Sequence, residues 1–153
     1  IDASLERCVR ESGVADAVDL VPYQPHAQLV AAVRSADALF LTLHGLEAGH
    51  RSRIVPGKTY EYLAAGRPIL AALPAGDARE IVATSPRAFL AEPCDEPAIA
   101  AQLEALHAAW RRGEFCDARS PPDIDRYERG RLAGELAAFL ARIVALPARN
   151  GAP

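Results

Sequence analysis

The chain alternates between short, nearly continuous apolar runs and longer segments in which apolar positions recur with helical spacing. The runs DALFLTL at 37–43 and PILAAL at 68–73 are typical of strands that are covered on both faces of a sheet. Residues 26–36 instead repeat with helical spacing and place Leu29 and Val33 on one face. The pattern therefore predicts that strands and helices are mixed within one fold.

Glycine and proline mark the ends of several predicted elements. Gly66 suits the C-cap of a helix over 57–65, and Pro68 prevents that helix from continuing. Strands that alternate with helices predict an α/β fold, a three-layer domain with a parallel sheet of about four strands. The predicted helices cover 1–12, 26–36, 57–65, 77–82, 96–112 and 124–146, and the predicted strands cover 17–23, 37–43, 68–73 and 88–92.

Composition narrows the possible functions and ligands. The formal net charge is −3, which argues against a broad basic surface for nucleic acid. No apolar run reaches the roughly 18 residues that a membrane-spanning helix needs. The three cysteines and four histidines are scattered and show no metal-ligand spacing. We therefore expect no bound metal and a reducing, cytoplasmic location, and we interpret a sequence that starts at Ile1 and lacks methionine as part of a longer protein.

The segment RIVPGKTYEYLAAGRPILAA at 53–72 contains the tripeptide Gly57-Lys58-Thr59, which is also the ending of a phosphate-binding P-loop. A P-loop requires a glycine five residues before Gly57, where this chain has Ser52. Pro56 would also remove an N–H group from the phosphate cradle. We therefore interpret the tripeptide as the first turn of a helix.

That helix predicts a clamp for a nucleotide diphosphate. Ligands of parallel sheets bind beyond the carboxyl ends of the strands, where this helix begins. The free N–H groups and the positive dipole end of its first turn attract phosphate. Lys58, the only lysine of the chain, adds a compact charge. Glu61 follows at i+3 on the same face, where a carboxylate can accept two hydrogen bonds from a ribose diol.

The run VPGKTYEYLAAGRPILA resembles the donor-binding segment of GT-B glycosyltransferases, in particular the group 1 or family 4-like enzymes. The pattern Pro-x-Lys-x-x-Glu-Tyr-x-x-x-Gly-x-Pro is common in that family. The resemblance extends over about residues 5–145 and implies that the chain is the C-terminal half of such an enzyme. It implies a Rossmann-like, nucleotide-sugar-binding domain over 1–146 that lacks its first strand, and a flexible tail over 147–153. The matching residues are Pro56, Lys58, Glu61, Tyr62, Gly66 and Pro68.

The resemblance also implies roles for individual residues. Glu61 is expected to bind the ribose hydroxyls of a nucleotide-sugar, and the turn formed by Pro56, Gly57, Lys58 and Thr59 is expected to lie near the diphosphate. Lys58 would act in catalysis by stabilising the charge on the departing diphosphate. Tyr23 is expected to pack on the base, although an ordinary core or rim tyrosine is an equally open interpretation.

The chain departs from the family pattern at individual residues and in its extent. Many relatives carry a second glutamate that contacts the sugar, and Arg53 stands at that position. Arg51 and Arg53 are expected either to meet the diphosphate or to lie in a solvated loop. The resemblance also implies that the acceptor-binding N-terminal domain is missing, and that an uncovered sheet edge favours association between copies of the chain.

These inferences predict donor binding in an enzyme that transfers a sugar from a nucleotide-diphosphate sugar to an acceptor. The expected pathway is cell-surface polysaccharide or glycolipid synthesis, with no cofactor and with peripheral membrane association of the full enzyme. Two alternatives remain open. A nucleotide-sugar epimerase of GT-B fold would share the clamp, whereas a non-catalytic α/β binding module would show no affinity for nucleotides.

Overall fold

The computed structural model describes residues 3–47, 49–117, 121 and 123–145. The chain divides into two compact units, residues 1–36 and residues 37–153. The predicted tail over 147–153 lies outside the described residues.

The first unit contains two helices joined by an irregular segment. Helix α1 spans Ala3–Glu11, a 3-10 turn spans Ala15–Ala17, and helix α2 spans His26–Ser35. The strand predicted over 17–23 is wrong, since these residues have no strand structure and both Val18 and Val21 are exposed. An extended segment forms a strand only when a neighbouring strand accepts its backbone hydrogen bonds, and residues 3–36 contain no second strand.

The second unit is built on a parallel sheet with strand order β1-β2-β3. This confirms the predicted α/β class, although the sheet described has three strands rather than about four. None of the described helices has the length and hydropathy needed to cross a membrane. The elements are β1 (Leu39–Thr42), α3 (Gly57–Ala65), β2 (Ile69–Ala72), α4 (Asp77–Ala83), β3 (Ala88–Ala91), α5 (Glu96–Arg111), a 3-10 turn (Ile124–Tyr127) and α6 (Arg129–Ala145).

Helices cover the sheet in layers, as a fold of this class requires. The central strand β2 is buried at all four positions, which explains its continuous apolar sequence. Helix α5 packs against β2 and β3, and its buried residues Leu106 and Ala109 lie outside the main core cluster. The main core combines residues of β1, β2, α3 and α4 with neighbouring positions, namely Leu41, Leu63, Ile69, Ala71, Leu73, Ala78 and Val82.

The last helix is interrupted where the sequence predicted one continuous helix over 124–146. Glu128 has extended backbone angles, φ −65° and ψ 129°, and separates the 3-10 turn from α6. Its carboxylate accepts hydrogen bonds from the N–H groups of Gly130 at 2.9 Å and Arg131 at 2.7 Å. The side chain thus satisfies two orphan donors at the start of α6, in the manner of an N-cap.

The cap of α6 is expected to weaken in acid. The two backbone hydrogen bonds lower the pKa of Glu128 below its ordinary value. A carboxyl whose pKa is lower in the folded than in the unfolded state stabilises the fold above the unfolded pKa, about 4.3, and this contribution disappears as the pH falls through the folded pKa. We expect the amide protons of Gly130 and Arg131 to lose protection in that acid range. Glu128→Gln should abolish this pH dependence in NMR spectra, whereas Glu104→Gln on the exposed face of α5 should leave it unchanged.

Candidate functional site

The parallel sheet gathers three helix starts at one edge. Because β1, β2 and β3 run in the same direction, their carboxyl ends lie at the same edge of the sheet. Loops over 43–56, 73–76 and 92–95 lead from this edge to the first turns of α3, α4 and α5. This is the edge at which sheets of this class bind ligands.

The first turn of α3 presents exposed backbone donors. Pro56 is the N-cap residue, with φ −61° and ψ 141°, and Gly57 and Lys58 are exposed. Among the described residues, the N–H groups of Gly57 and Lys58 have no hydrogen-bond acceptor. Two donors and the side chain of Lys58 are therefore available at the positive end of the helix dipole.

Thr59 does not face the solvent with the rest of this turn, and its predicted role as a donor-binding residue stays a prediction. Its side chain is fully buried, and its N–H donates to the carbonyl of Pro56 at 2.9 Å. Its Oγ1 has no hydrogen-bond partner among the described residues. Thr59 anchors the turn from the inside, so the exposed contacts are those of Gly57 and Lys58.

Glu61 is exposed one turn further along α3, as the spacing predicted. Its neighbour Tyr62 packs against the core instead. Burial raises the pKa of Tyr62, and the negative charge of Glu61 raises it further. Tyr62 therefore packs α3 against the core, while Glu61 faces the solvent.

A groove of about 820 Å³ runs along the Gly57–Glu61 face of α3. Its volume lies within the roughly 300–1,000 Å³ range of small-molecule sites. The opposite wall comes from the 3-10 turn and the start of α6, including Tyr127 and Leu132. These residues lie far from α3 in the sequence, so no local pattern could have predicted their contribution.

An aromatic pair and several charges line the groove. The rings of Tyr60 and Tyr127 are 4.8 Å apart, and the hydroxyl of Tyr127 is buried without a hydrogen-bond partner among the described residues. The charged lining residues are three carboxylates and one guanidinium, so the groove is net negative while the first turn of α3 is positive. The charged residues are Glu61, Asp125, Glu128 and Arg129.

The loop before α3 is held to the neighbouring loop by a close backbone contact. The N–H of Ser52 donates to the carbonyl of Ala75 at 2.8 Å, and the N–H of Asp77 donates to the carbonyl of Ser52 at 2.9 Å. Gly76, with φ 145°, lies between them, and a Cβ atom there would stand 2.0 Å from the carbonyl oxygen of Ser52. The loop that leads to α3 therefore depends on a glycine at position 76.

Replacing Gly76 with alanine is expected to separate these two loops. Backbone conformations of this kind cost about 1–3 kcal/mol for other residues, and the clash with Ser52 adds to that cost. Chemical denaturation should show a loss of stability of at least about 2 kcal/mol. The matched control is Gly57→Ala, because a Cβ atom there meets no atom within 4 Å.

Two of the three arginines near this edge are already engaged. Arg51 pairs with Glu80 at 2.5 Å, and this contact raises the pKa of the guanidinium. Arg79 donates to the carbonyls that end β2 and β3, at 2.6 Å to Leu73 and 2.8 Å to Ala91. Arg53 is exposed, and within the described part of the chain no ion pair involves it. The cations at the edge that remain without a carboxylate partner are therefore Arg53 and Lys58.

Tyr23 belongs to the first unit, where its side chain is 92% exposed. Such exposure excludes a core position, whereas a rim position, the other part of that interpretation, stays open. Its predicted packing on a base stays a prediction.

The described part of this edge was also compared with the ligand sets that metal ions require. In the ranges that the structure describes, no three His, Cys, Asp or Glu side chains are placed to hold a metal ion. The groups that this edge offers to a ligand are the cations Arg53 and Lys58, the helix start and Glu61.

Comparison with known proteins identifies the family. The family of glycosyl transferases group 1 matches residues 2–109, which include Lys58, Glu61 and Tyr23. No curated protein and no solved structure matches the chain. The family match covers 108 of the 153 residues and agrees with the Rossmann-like α/β fold. The chain therefore belongs to the group 1 family of GT-B glycosyltransferases and carries a glycosyl-transfer domain.

Proposed function

We propose that this domain binds the sugar donor, a nucleotide-diphosphate sugar. The enzyme then transfers the sugar to an acceptor in the synthesis of cell-surface polysaccharide or glycolipid. The observation that carries the proposal is the pair of N–H groups at Gly57 and Lys58, which have no acceptor among the described residues, beside the exposed carboxylate of Glu61. A family match alone supports glycosyl transfer in general. The geometry of α3 favours a diphosphate donor in particular.

The start of α3 suits the diphosphate. Phosphate oxygens accept hydrogen bonds from free N–H groups at a helix N-terminus, and the dipole adds a favourable field. Lys58 supplies a full positive charge at the same turn. As the bond between the sugar and the diphosphate breaks, negative charge grows on the departing phosphate oxygen, and Lys58 and the helix start stabilise it.

The groove beside Glu61 suits the uncharged part of the same ligand. Its net negative lining disfavours phosphate, so the phosphates would stay at the helix start. The carboxylate of Glu61 would accept hydrogen bonds from the two ribose hydroxyls at the mouth of the groove. One ligand then occupies both regions. Its diphosphate lies at the positive first turn of α3, and its ribose hydroxyls lie against the carboxylate of Glu61.

The acceptor would be held by a second domain, which closes over the donor and completes the cleft. Gly57, Lys58 and Glu61 are all exposed, so the donor surface alone excludes little water. The proposed enzyme needs no cofactor and works in the cytoplasm, with peripheral association to the membrane that carries a lipid-linked acceptor. Nucleic acid is not among its proposed partners.

Calorimetric titration with UDP, GDP, ADP and CDP tests the proposal. We expect one of them to bind with a Kd between about 10 μM and 1 mM, a range that corresponds to roughly 4–7 kcal/mol. Absence of binding by all four would favour a non-catalytic module. A GT-B epimerase would share the nucleotide affinity, and an assay with donor and acceptor separates it from a transferase because only the transferase forms a new glycosidic bond.

Nucleotide binding is expected to persist without divalent metal. The diphosphate charge is met by Lys58 and backbone N–H groups, so a bridging cation has no necessary role. The titration repeated in EDTA and in 5 mM Mg²⁺ should give Kd values within about threefold of each other. Binding that disappears in EDTA would contradict the metal-free clamp.

A further inference from the structure

The order of the parts in a nucleotide-diphosphate sugar assigns the sugar to one side of the site. In such a molecule the diphosphate stands between the ribose and the sugar. With the diphosphate at Gly57 and Lys58 and the ribose at Glu61, the sugar lies on the side of the residues that precede α3. The loop over 43–56 supplies those residues. This assignment rests on the proposed function, because it starts from the proposed positions of the diphosphate and the ribose.

Arg53 belongs to the part of this loop whose backbone is anchored. Ser52 is buried and pairs with Gly76 in a parallel bridge. The N–H of Ile54 donates to Oγ of Ser52 at 3.2 Å, and Val55 packs against the main core. Arg53 itself is exposed. Its backbone is therefore held in place, while its side chain is accessible to a ligand on the sugar side of the diphosphate.

The other two arginines of this edge already have partners. Arg51 pairs with Glu80, and this pairing, with a smaller effect of the charge of Asp77, raises the pKa of Arg51. Arg79 donates to the carbonyls that end β2 and β3. No ion pair of Arg53 occurs within the ranges that the structure describes. A guanidinium is thus available on the sugar side.

The distribution of charge favours a second anionic group on the ligand at this place. In the proposed function the diphosphate is met by Lys58 and the start of α3, which leaves Arg53 for another anion. The groove on the ribose side has a net negative lining, so it disfavours a further negative charge there. An anionic substituent is therefore accommodated on the sugar and not on the ribose side.

We propose that the sugar of the donor is acidic, a uronic acid whose carboxylate is bound by Arg53. A guanidinium donates two parallel hydrogen bonds to a carboxylate, and this geometry is specific for the planar anion. A neutral hexose has a hydroxymethyl group at the same carbon, C6, and offers one uncharged oxygen instead. Arg53 would in this way select the acidic donor over its neutral counterpart.

Calorimetric titration of the 153-residue chain measures this selection. The nucleoside diphosphate that binds identifies the base, and the glucuronate and galacturonate of that base are then compared with its glucose and galactose. For uracil these are UDP-glucuronate with UDP-glucose and UDP-galacturonate with UDP-galactose, and each pair differs only at C6. We expect at least one acid to bind about tenfold more tightly than its neutral partner, since hydrogen bonds between charged groups have effects of this order.

Substitutions at position 53 test the role of the guanidinium. Arg53→Ala should abolish the preference for the acid, while the affinity for the nucleoside diphosphate stays within about threefold of the native value. Arg53→Glu should reverse the preference, because it sets two negative charges against each other. The matched control is Arg111→Ala, which removes an exposed arginine from α5 and should keep the native preference. Thermal unfolding checks that each variant is folded.

The possible outcomes separate this inference from the proposed function. A native chain that binds the acid and the neutral sugar equally would overturn the acidic donor, and a preference that survives Arg53→Ala would overturn the role of Arg53. An equal loss of affinity for the nucleoside diphosphate and all four sugars in Arg53→Ala would place Arg53 at the diphosphate and also overturn it. In these three cases the donor site itself stands, because the nucleoside diphosphate still binds to the native chain. Absence of all nucleotide binding would instead overturn the proposed function, and this inference with it.

Discussion

Lys58→Ala and Glu61→Ala are each expected to weaken nucleotide-diphosphate binding by about 10- to 150-fold without unfolding the domain. The loss of a hydrogen bond to a charged group costs about 1.5–3 kcal/mol, which corresponds to this range. Both side chains are exposed, so their removal leaves no cavity in the core. Calorimetric titration with the nucleotide that the native chain binds measures the change, and thermal unfolding checks the fold.

Two control variants separate a specific effect at the binding site from a general effect of the net charge on nucleotide affinity. Arg111→Ala and Glu104→Ala remove one charge of each sign from the exposed surface of α5, away from the start of α3. We expect both controls to bind as the native chain does. Lys58→Arg keeps the charge but replaces a compact ammonium with a planar guanidinium, so an intermediate affinity would show that shape matters as well as charge. Native affinity in both Lys58→Ala and Glu61→Ala would refute the clamp.

The elements that the sequence predicted well are those whose signal is local. The buried strand β2 was expected over 68–73 and spans Ile69–Ala72, because a strand covered on both faces is apolar at every position. The end of α3 was expected at Gly66, which adopts the left-handed conformation with φ 66°. In both cases the information lies within a few neighbouring residues.

The elements that the sequence predicted wrongly share a different physical cause. Residues 17–23 have the composition of a strand, but a strand also needs a partner that is distant in sequence. The break at Glu128 depends on one carboxylate that folds back to two N–H groups, and the apolar spacing around it gave no sign of this. Periodicity predicts which face of an element is buried, but it does not predict these individual hydrogen bonds.

The candidate site was predictable in part for the same reason. The positions of Lys58 and Glu61 follow from helical geometry once α3 is recognised, and both are exposed as expected. The pairing of Arg51 with Glu80 and the aromatic contact of Tyr60 with Tyr127 join separate segments of the chain. The burial of Thr59 could not be predicted either, because it depends on how α3 packs against the core.

The 153-residue chain alone is expected to bind a nucleotide diphosphate weakly and to transfer no sugar to an acceptor. The phosphate and ribose contacts proposed for it come from Gly57, Lys58 and Glu61, which belong to one helix and remain in place. Transfer needs more, because the acceptor hydroxyl must be held against the donor with water excluded. Positioning of two reactants supplies about 7–11 kcal/mol of barrier reduction, and an exposed donor surface forfeits most of it.

A transfer assay with radiolabelled donor measures this effect by comparing the chain with a longer protein that also carries an acceptor-binding domain. The chain alone should fall below detection, at least about 10⁵-fold slower, since the lost positioning corresponds to a factor of that order or more. Hydrolysis of the donor, followed in the same samples, distinguishes a donor that is bound but not transferred from one that is not bound. Lys58→Ala in the longer protein is the internal control. It should lower the rate of transfer by weakening donor binding, although the acceptor-binding domain is present. Turnover by the chain alone at the rate of the longer protein would mean that residues 1–153 already contain the groups that bind and activate the acceptor.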